Sequence, residues 1–136
     1  MENLNKKYNV NEHLEFTDRE YTAILFFTKK MMLADGKLDA KEGIMLIKEA
    51  ERFGIGKDKL EILLDSSDNM EADEAIVLIA TMTDAQKRYV SAVLGTIMAI
   101  DGDIDDKELV LWKMVSSLCK LPTMSIKDAI GYMTGK

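Results

Sequence analysis

Apolar residues recur at the three- to four-residue spacing of an α-helix along most of the chain. The first such segment starts after Thr17, which forms with Glu20 the spacing of a capping box, and it continues to Leu33. The same periodicity predicts further helices over 39–53, 57–65, 70–81, 84–100, 106–119 and around 126–130. The pattern therefore predicts an all-α fold of about seven helices, with the helix over 84–100 at its centre.

The ends of this pattern suggest how the chain is organised. Residues 1–16 are polar and aperiodic, which predicts a flexible N-terminal arm, and residues 66–69 form a polar connection. A length of 136 residues fits one domain, so we expect residues 17–136 to form a single helical domain.

A shift of 66 positions superposes the two halves of that domain without a gap. Eight of the 26 positions from 17 to 42 are then identical, and most of them belong to helix caps or turns. The match predicts two helix–Asp-Gly–helix units, about 17–66 and 83–132, that share one core. Chance similarity is the alternative, because caps and Asp-Gly turns recur in unrelated helical proteins.

The helix predicted over 106–119 is unusually apolar around its circumference, at Leu111, Trp112, Met114, Val115 and Leu118. Such a helix is expected to be deeply buried. Cys119 ends the same segment and is expected to be a small core residue rather than a reactive thiol. The ten methionines are expected mainly to fill the core.

Composition and charge exclude several classes of function. The net charge of −6 argues against nucleic-acid binding, which requires clustered Lys and Arg. The longest mainly apolar stretch, 89–100, is too short to cross a membrane. The polar N-terminus does not resemble a secretory signal, and a lone cysteine cannot form an internal disulfide. We therefore expect a cytoplasmic protein.

The chain offers little for catalysis. Its one histidine, His13, lies in the predicted arm, away from any core that could pair it with a nucleophile. No glycine-rich phosphate loop follows a strand. The sequence therefore predicts a protein that is not an enzyme and has no catalytic residues.

The two acidic turns of the repeated units are the candidate sites. The first contributes Asp35, Asp39 and Glu42, and the second contributes Asp101, Asp103, Asp105 and Glu108. Carboxylate oxygens are hard ligands that suit Ca²⁺, Mg²⁺ or Mn²⁺. A purely structural role is the alternative. Asp39, Glu42, Asp105 and Glu108 lie at helix starts, where acids stabilise a helix by capping and through its dipole. Asp35 and Asp101 lie just past a helix end, where the side chain can accept backbone N–H bonds in an Asx-turn.

The second turn is not an EF-hand. Asp101, Asp103 and Asp105 occupy the first, third and fifth loop positions, but Asp106 replaces the required glycine and Trp112 replaces the bidentate glutamate.

The segments 32–42 (MLADGKLDAKE) and 98–108 (MAIDGDIDDKE) resemble the paired signatures of the TerB-like family. That family includes a tellurite-resistance protein and the N-terminal domain of a membrane-anchored DnaJ-like protein. The resemblance implies an all-α fold, a cytoplasmic bacterial setting, a link to stress or tellurite resistance, and metal chelation by acidic residues. It places Asp35, Asp39 and Glu42 on the first signature, and Asp101, Asp105 and Glu108 on the second. Asp103 and Asp106 are additional acids.

Two functions remain open from the sequence. One is a stress-response module that binds a divalent cation through the acidic turns and has a protein partner, for which a membrane-bound protein is a candidate. The other is a non-catalytic protein-interaction adaptor whose turn carboxylates are only helix caps.

Overall fold

The computed structural model describes residues 14–34, 40–100, 104 and 106–135. Within those ranges the chain forms seven helices and no strand, which confirms the predicted all-α fold. The helices are α1 (Asp18–Leu33), α2 (Ala40–Arg52), α3 (Lys57–Asp68), α4 (Ala72–Ala80), α5 (Asp84–Ala99), α6 (Asp106–Leu118) and α7 (Ile126–Thr134).

Capping boxes start the two longest helices. At α1 the Glu20 backbone N–H donates to Thr17 Oγ1 at 3.0 Å, and the Thr17 N–H donates to Glu20 Oε1 at 2.9 Å. The same reciprocal pair joins Thr83 and Gln86 at the start of α5, at 3.1 and 2.9 Å. Each box satisfies two backbone donors that a helix start leaves without an intrahelical partner, so a three-residue signal fixes where each helix begins.

Helices α1 and α5 form the centre of the core. In α1 every residue from 21 to 28 is buried, and in α5 every residue from 89 to 95 is buried. Burial on all sides requires neighbours on all sides: α1 packs against α3, α4 and α5, while α5 packs against α1, α6 and α7. The central position predicted for the helix over 84–100 is therefore observed.

Gly95 lies where α5, α6 and α7 meet. A Cβ atom at this position would lie 2.8 Å from the Ala129 Cβ of α7 and 3.1 Å from Trp112 Cζ2 of α6. The missing side chain therefore lets the three helices approach more closely than any other residue would allow.

The structure differs from the sequence-based boundaries at two places. The sequence predicts a flexible arm over residues 1–16, yet Leu14 is buried in the core and the centroid of the Phe16 ring lies 5.3 Å from that of the Phe53 ring. Residues 1–13 lie outside the described part of the chain. The third helix also runs beyond residue 65 to Asp68, and the Ser67 hydroxyl donates to the Leu64 carbonyl at 2.6 Å. Three polar residues of the expected connection are therefore helical.

The prediction that α6 is deeply buried is wrong for one side of the helix. Trp112 and Val115 are buried, but Val110, Met114 and Leu118 are exposed by 60, 50 and 49%. The helix packs on α5, α1 and α4 through one face only, so its apolar outer face remains in solvent.

Corresponding helices of the two proposed units have matching bounds. Helices α1 and α5 each span 16 residues, and α2 and α6 each span 13. These matches concern individual helices, and the internal duplication itself stays a prediction.

Candidate functional site

Two of the predicted site residues, Glu42 and Glu108, are buried carboxylates. Each is the third residue of its helix, α2 or α6, and they are exposed by only 3 and 1%. Burial of a carboxylate is costly unless its oxygens are paired, and neither residue is without an interaction partner.

The other helices show that a capping role does not require burial. Glu20 and Gln86 are also the third residues of their helices and complete capping boxes, yet both remain only half-buried. Glu42 and Glu108 are therefore placed more deeply than residues that act as ordinary caps.

The remaining predicted ligands lie outside the described residues: Asp35, Asp39, Asp101, Asp103 and Asp105. Among residues 14–34, 40–100, 104 and 106–135, no three Asp, Glu, His or Cys side chains lie close enough to hold a metal ion. Glu42 and Glu108 have the hard oxygen donors that suit Ca²⁺, Mg²⁺ or Mn²⁺, but a single carboxylate is not a site. A cation at either turn would need ligands from the acidic residues that precede the helix.

A polar network within the aromatic core was not anticipated from the sequence. The Tyr89 hydroxyl donates to Glu49 Oε1 at 2.9 Å, and Arg52 Nη1 contacts both Glu49 oxygens at 3.1 and 3.2 Å. Tyr21 interacts with Tyr89 at the α1 side of this network. These contacts join helices α1, α2 and α5.

The network keeps its phenols protonated. Burial is the main cause that raises the pKa of Tyr21, and the nearby Glu49 carboxylate adds to it. Burial also raises the pKa of Tyr89, which in addition faces Tyr21 and Glu49. Phenols that hold their protons this firmly are poor acid–base catalysts at neutral pH, so the arrangement serves to join the helices.

The sequence contains no signal for this network beyond one local pair. Glu49 and Arg52 are three residues apart on α2, a spacing at which helical side chains meet. The contact of Tyr89 with Glu49 spans 40 residues of chain, and it depends on how α2 packs beside α5.

Cys119 is fully buried, as expected, and burial raises its thiol pKa to about 11. Because the thiolate is the nucleophile, a thiol with this pKa is unreactive at neutral pH. The described part of the chain therefore contains neither an activated cysteine nor a poised tyrosine.

An apolar groove with lysines at its edge separates α1 from α6. Phe26 and Leu33 of α1 and Leu111 of α6 form its apolar lining, and the groove encloses about 470 Å³. Lys29 and Lys30 lie along the α1 edge, where Lys29 pairs with Asp68 at the end of α3. We refer to this feature as the α1–α6 groove.

Within the described ranges, none of the helices is long and apolar enough to cross a membrane.

The chain is similar in sequence and structure to a protein of known structure. No protein-family model matches the chain, and no curated protein matches it. It is similar to PG1108 from Porphyromonas gingivalis W83, a protein of unknown function with a crystal structure. The two chains are 47% identical, the alignment covers 89% of this chain and 92% of that one, and the structures superpose with a TM-score of 0.77.

Proposed function

The chain belongs to the same family as the Porphyromonas gingivalis protein PG1108, and from its own residues we propose that it is a TerB-like module that binds a divalent cation at its acidic turns. The observation that carries the proposal is the burial of Glu42 and Glu108. Two ordinary caps elsewhere in the chain stay half-buried, so a capping role alone does not require this depth.

In this proposal each turn supplies one ligand set. Glu42 would act with Asp35 and Asp39, and Glu108 with Asp101, Asp103 and Asp105. The bound ion would be Ca²⁺, Mg²⁺ or Mn²⁺, because carboxylate sites favour hard cations. Its role would be to hold two consecutive helices in one arrangement, without catalysis.

The setting we propose is a cytoplasmic stress response, with tellurite resistance as the connection that the TerB-like resemblance implies. A protein partner would bind the cation-bound form of the chain, and a membrane-bound protein is one candidate for that partner. Both statements rest on the two acidic signatures.

We expect one of the three cations to raise the thermal midpoint of the metal-stripped protein. A ligand at 100 times its dissociation constant adds about 2.7 kcal/mol to stability, which at this chain length corresponds to several degrees. The measurement is thermal unfolding followed by circular dichroism, with millimolar Ca²⁺, Mg²⁺ or Mn²⁺ and with NaCl at matched ionic strength.

Variants locate the effect. Glu108→Gln and Asp101→Asn should remove most of the cation-dependent rise, whereas Glu61→Gln, an exposed glutamate of α3, should leave it unchanged. The quantity compared is the rise in thermal midpoint on adding the cation to each variant. A change in the midpoint of the metal-free variant therefore does not affect the comparison. An equal rise in all variants, or none with any cation, would reduce the acidic turns to helix caps.

The second candidate is a protein-interaction adaptor, and the observation that favours it is the exposed apolar side of α6. Val110, Met114 and Leu118 are each about half or more exposed. Contiguous exposed apolar residues on a helix are typical of partner-binding surfaces. This candidate requires no metal, so the cation titration distinguishes it from the first.

A further inference from the structure

Helix α2 is held to the rest of the molecule by little packing. Within the described residues its backbone closely approaches α3 at a few positions and the other helices at still fewer. Only Glu42, Leu46 and Ala50 of its 13 residues are buried, whereas α1 and α5 contain long buried runs. Low packing density is typical of an element that opens while its neighbours stay folded.

Open space lies beside α2 at both ends. A cleft of about 370 Å³ separates the helix from Ile100 at the end of α5, and the exposed Ile44 lines that cleft. A second cavity, of about 430 Å³, lies between Tyr21 of α1 and Arg52 at the C-terminal end of α2. Side chains that face a cavity lose dispersion contacts, so these two spaces weaken the packing that keeps α2 in place.

A polar contact replaces apolar packing on the inner side of α2. Glu49 is the tenth residue of the helix, and its carboxylate accepts a hydrogen bond from the Tyr89 hydroxyl at 2.9 Å and pairs with Arg52. The tenth residue of α6, a helix of the same length, is the buried Val115. We refer to Tyr89, Glu49 and Arg52 together as the α2 latch.

A polar latch opens at lower cost than apolar packing of the same extent. Water solvates the carboxylate and the guanidinium as soon as they separate, and this solvation offsets most of the energy of the lost hydrogen bonds. The Glu49 and Arg52 side chains are 13 and 35% exposed in the closed arrangement, so both gain solvation when α2 moves away. A buried valine has no such gain.

The connection from α2 to α3 can absorb the movement. Gly54 follows the helix with a φ of +76°, and neither there nor at Gly56 would a Cβ atom meet another atom within 4 Å. Hinges are short segments whose φ and ψ angles change while the elements they join stay intact, and glycine has the widest choice of those angles. The other end of α2 joins α1 through residues 35–39, which lie outside the described part of the chain.

We propose that α2 opens as a unit about the 54–56 connection while the other helices stay folded, and that the α2 latch keeps it closed. Opening would expose the inner side of α2, with Leu46 and Ala50, and the phenol of Tyr89. The device itself needs no cation. One consequence rests on the proposed function: Glu42 lies on α2, so opening would carry it away from the other ligands of the first acidic turn and thereby regulate that site.

Native-state hydrogen exchange of the full chain in EDTA tests the device. The backbone amides of residues 44–52 in α2 are compared with those of residues 89–95 in α5, each rate being divided by the rate of an unstructured peptide. We expect the α2 amides to exchange at least about tenfold faster as a group. Their exchange should also depend less steeply on urea, because the opening of one helix exposes less surface than complete unfolding.

Two variants test the latch. Tyr89→Phe removes the latch hydroxyl and should accelerate the exchange of the α2 amides by about tenfold or more, the effect of losing a hydrogen bond to a charged group. Ser91→Ala is the matched control, because it removes another buried hydroxyl of α5, one that donates to the Pro122 carbonyl in the α6–α7 connection at 3.4 Å. It should leave the α2 amides unchanged. Circular dichroism confirms that both variants are folded.

Three results would overturn the proposal. Equal exchange in α2 and α5 would mean that α2 opens only when the whole chain unfolds. Unchanged α2 exchange in Tyr89→Phe would mean that the latch does not hold the helix, and equal acceleration by Ser91→Ala would mean that any loss of stability has the same effect. A failure of the cation titration would leave this experiment unaffected, because EDTA removes divalent cations.

Discussion

Replacing Gly95 with alanine is expected to destabilise the protein by about 1–3 kcal/mol, the usual cost of adding a methyl group to a closely packed core. The new Cβ would lie 2.8 Å from the Ala129 Cβ and 3.1 Å from Trp112 Cζ2. Neither neighbour is the flexible end of a long side chain, so the backbones of α5 and α7 have to separate. Urea unfolding followed by circular dichroism measures the change in free energy.

Two further variants make this result specific. Gly43→Ala in α2 places a methyl group where no atom lies within 4 Å, and it should stabilise the helix by up to about 1 kcal/mol. Adding Ala129→Gly to Gly95→Ala removes the nearer of the two clashing carbons and should recover part of the loss, apart from the helix cost of a second glycine. If Gly95→Ala and Gly43→Ala shifted stability in the same direction, the close contact at Gly95 would not be real.

Raising the pH above 10 is expected to unfold the protein steeply. In the unfolded chain a tyrosine loses its proton near pH 10, whereas the raised pKa values of Tyr21 and Tyr89 keep both phenols protonated in the fold. Their stabilising contribution is therefore complete below pH 10 and is lost as the pH rises towards the folded-state pKa values. Each phenol costs about 1.4 kcal/mol per pH unit in that range, so the pair costs about 2.8 kcal/mol per unit.

A loss of this size over two pH units is comparable to the whole stability of a typical domain. The measurement is a series of urea midpoints between pH 8 and pH 11.5. Tyr21→Phe should make the decline above pH 10 clearly shallower. Tyr132 supplies the comparison, because it is only half-buried and its raised pKa comes mainly from that partial burial. Should Tyr132→Phe flatten the decline as much as Tyr21→Phe, the buried pair would not be its main source.

The parts of the fold that the sequence predicts correctly depend on short-range signals. Thr17 and Glu20 are three residues apart, and their hydrogen bonds need nothing from the rest of the chain. The periodicity of α5 likewise reports its own burial, because almost every position of its middle turns is apolar or small. All-α architecture and the number of helices follow from such local information.

Features that depend on packing could not be obtained in this way. Helix α6 is apolar on nearly all sides, so its sequence does not reveal that Trp112 faces the core while Met114 faces solvent. That choice is made by the positions of α1, α4 and α5. Leu14 is buried and Phe16 half-buried although both lie in a polar segment, and the aromatic cluster that Phe16 joins is visible only in the fold.

In the candidate site, too, the residues can be predicted from local sequence but their burial and long-range contacts cannot. Local spacing marked Glu42 and Glu108 as acids at helix starts, but their depth in the molecule is a tertiary property. The Tyr21–Tyr89–Glu49 network joins three helices across long stretches of sequence, so no local motif records it. Metal ligation by the acidic turns stays a prediction.

The junction of α5, α6 and α7 also contains its own optical reporter. Trp112, the chain's one tryptophan, is buried there against Gly95. Indole emission therefore reports the environment of the α5–α6–α7 junction, while α1 to α4 contain no tryptophan. If α1 to α4 unfold first, the helical circular dichroism signal declines while the tryptophan emission stays blue-shifted. If the junction unfolds first, the emission shifts to the red before most of the circular dichroism signal is lost.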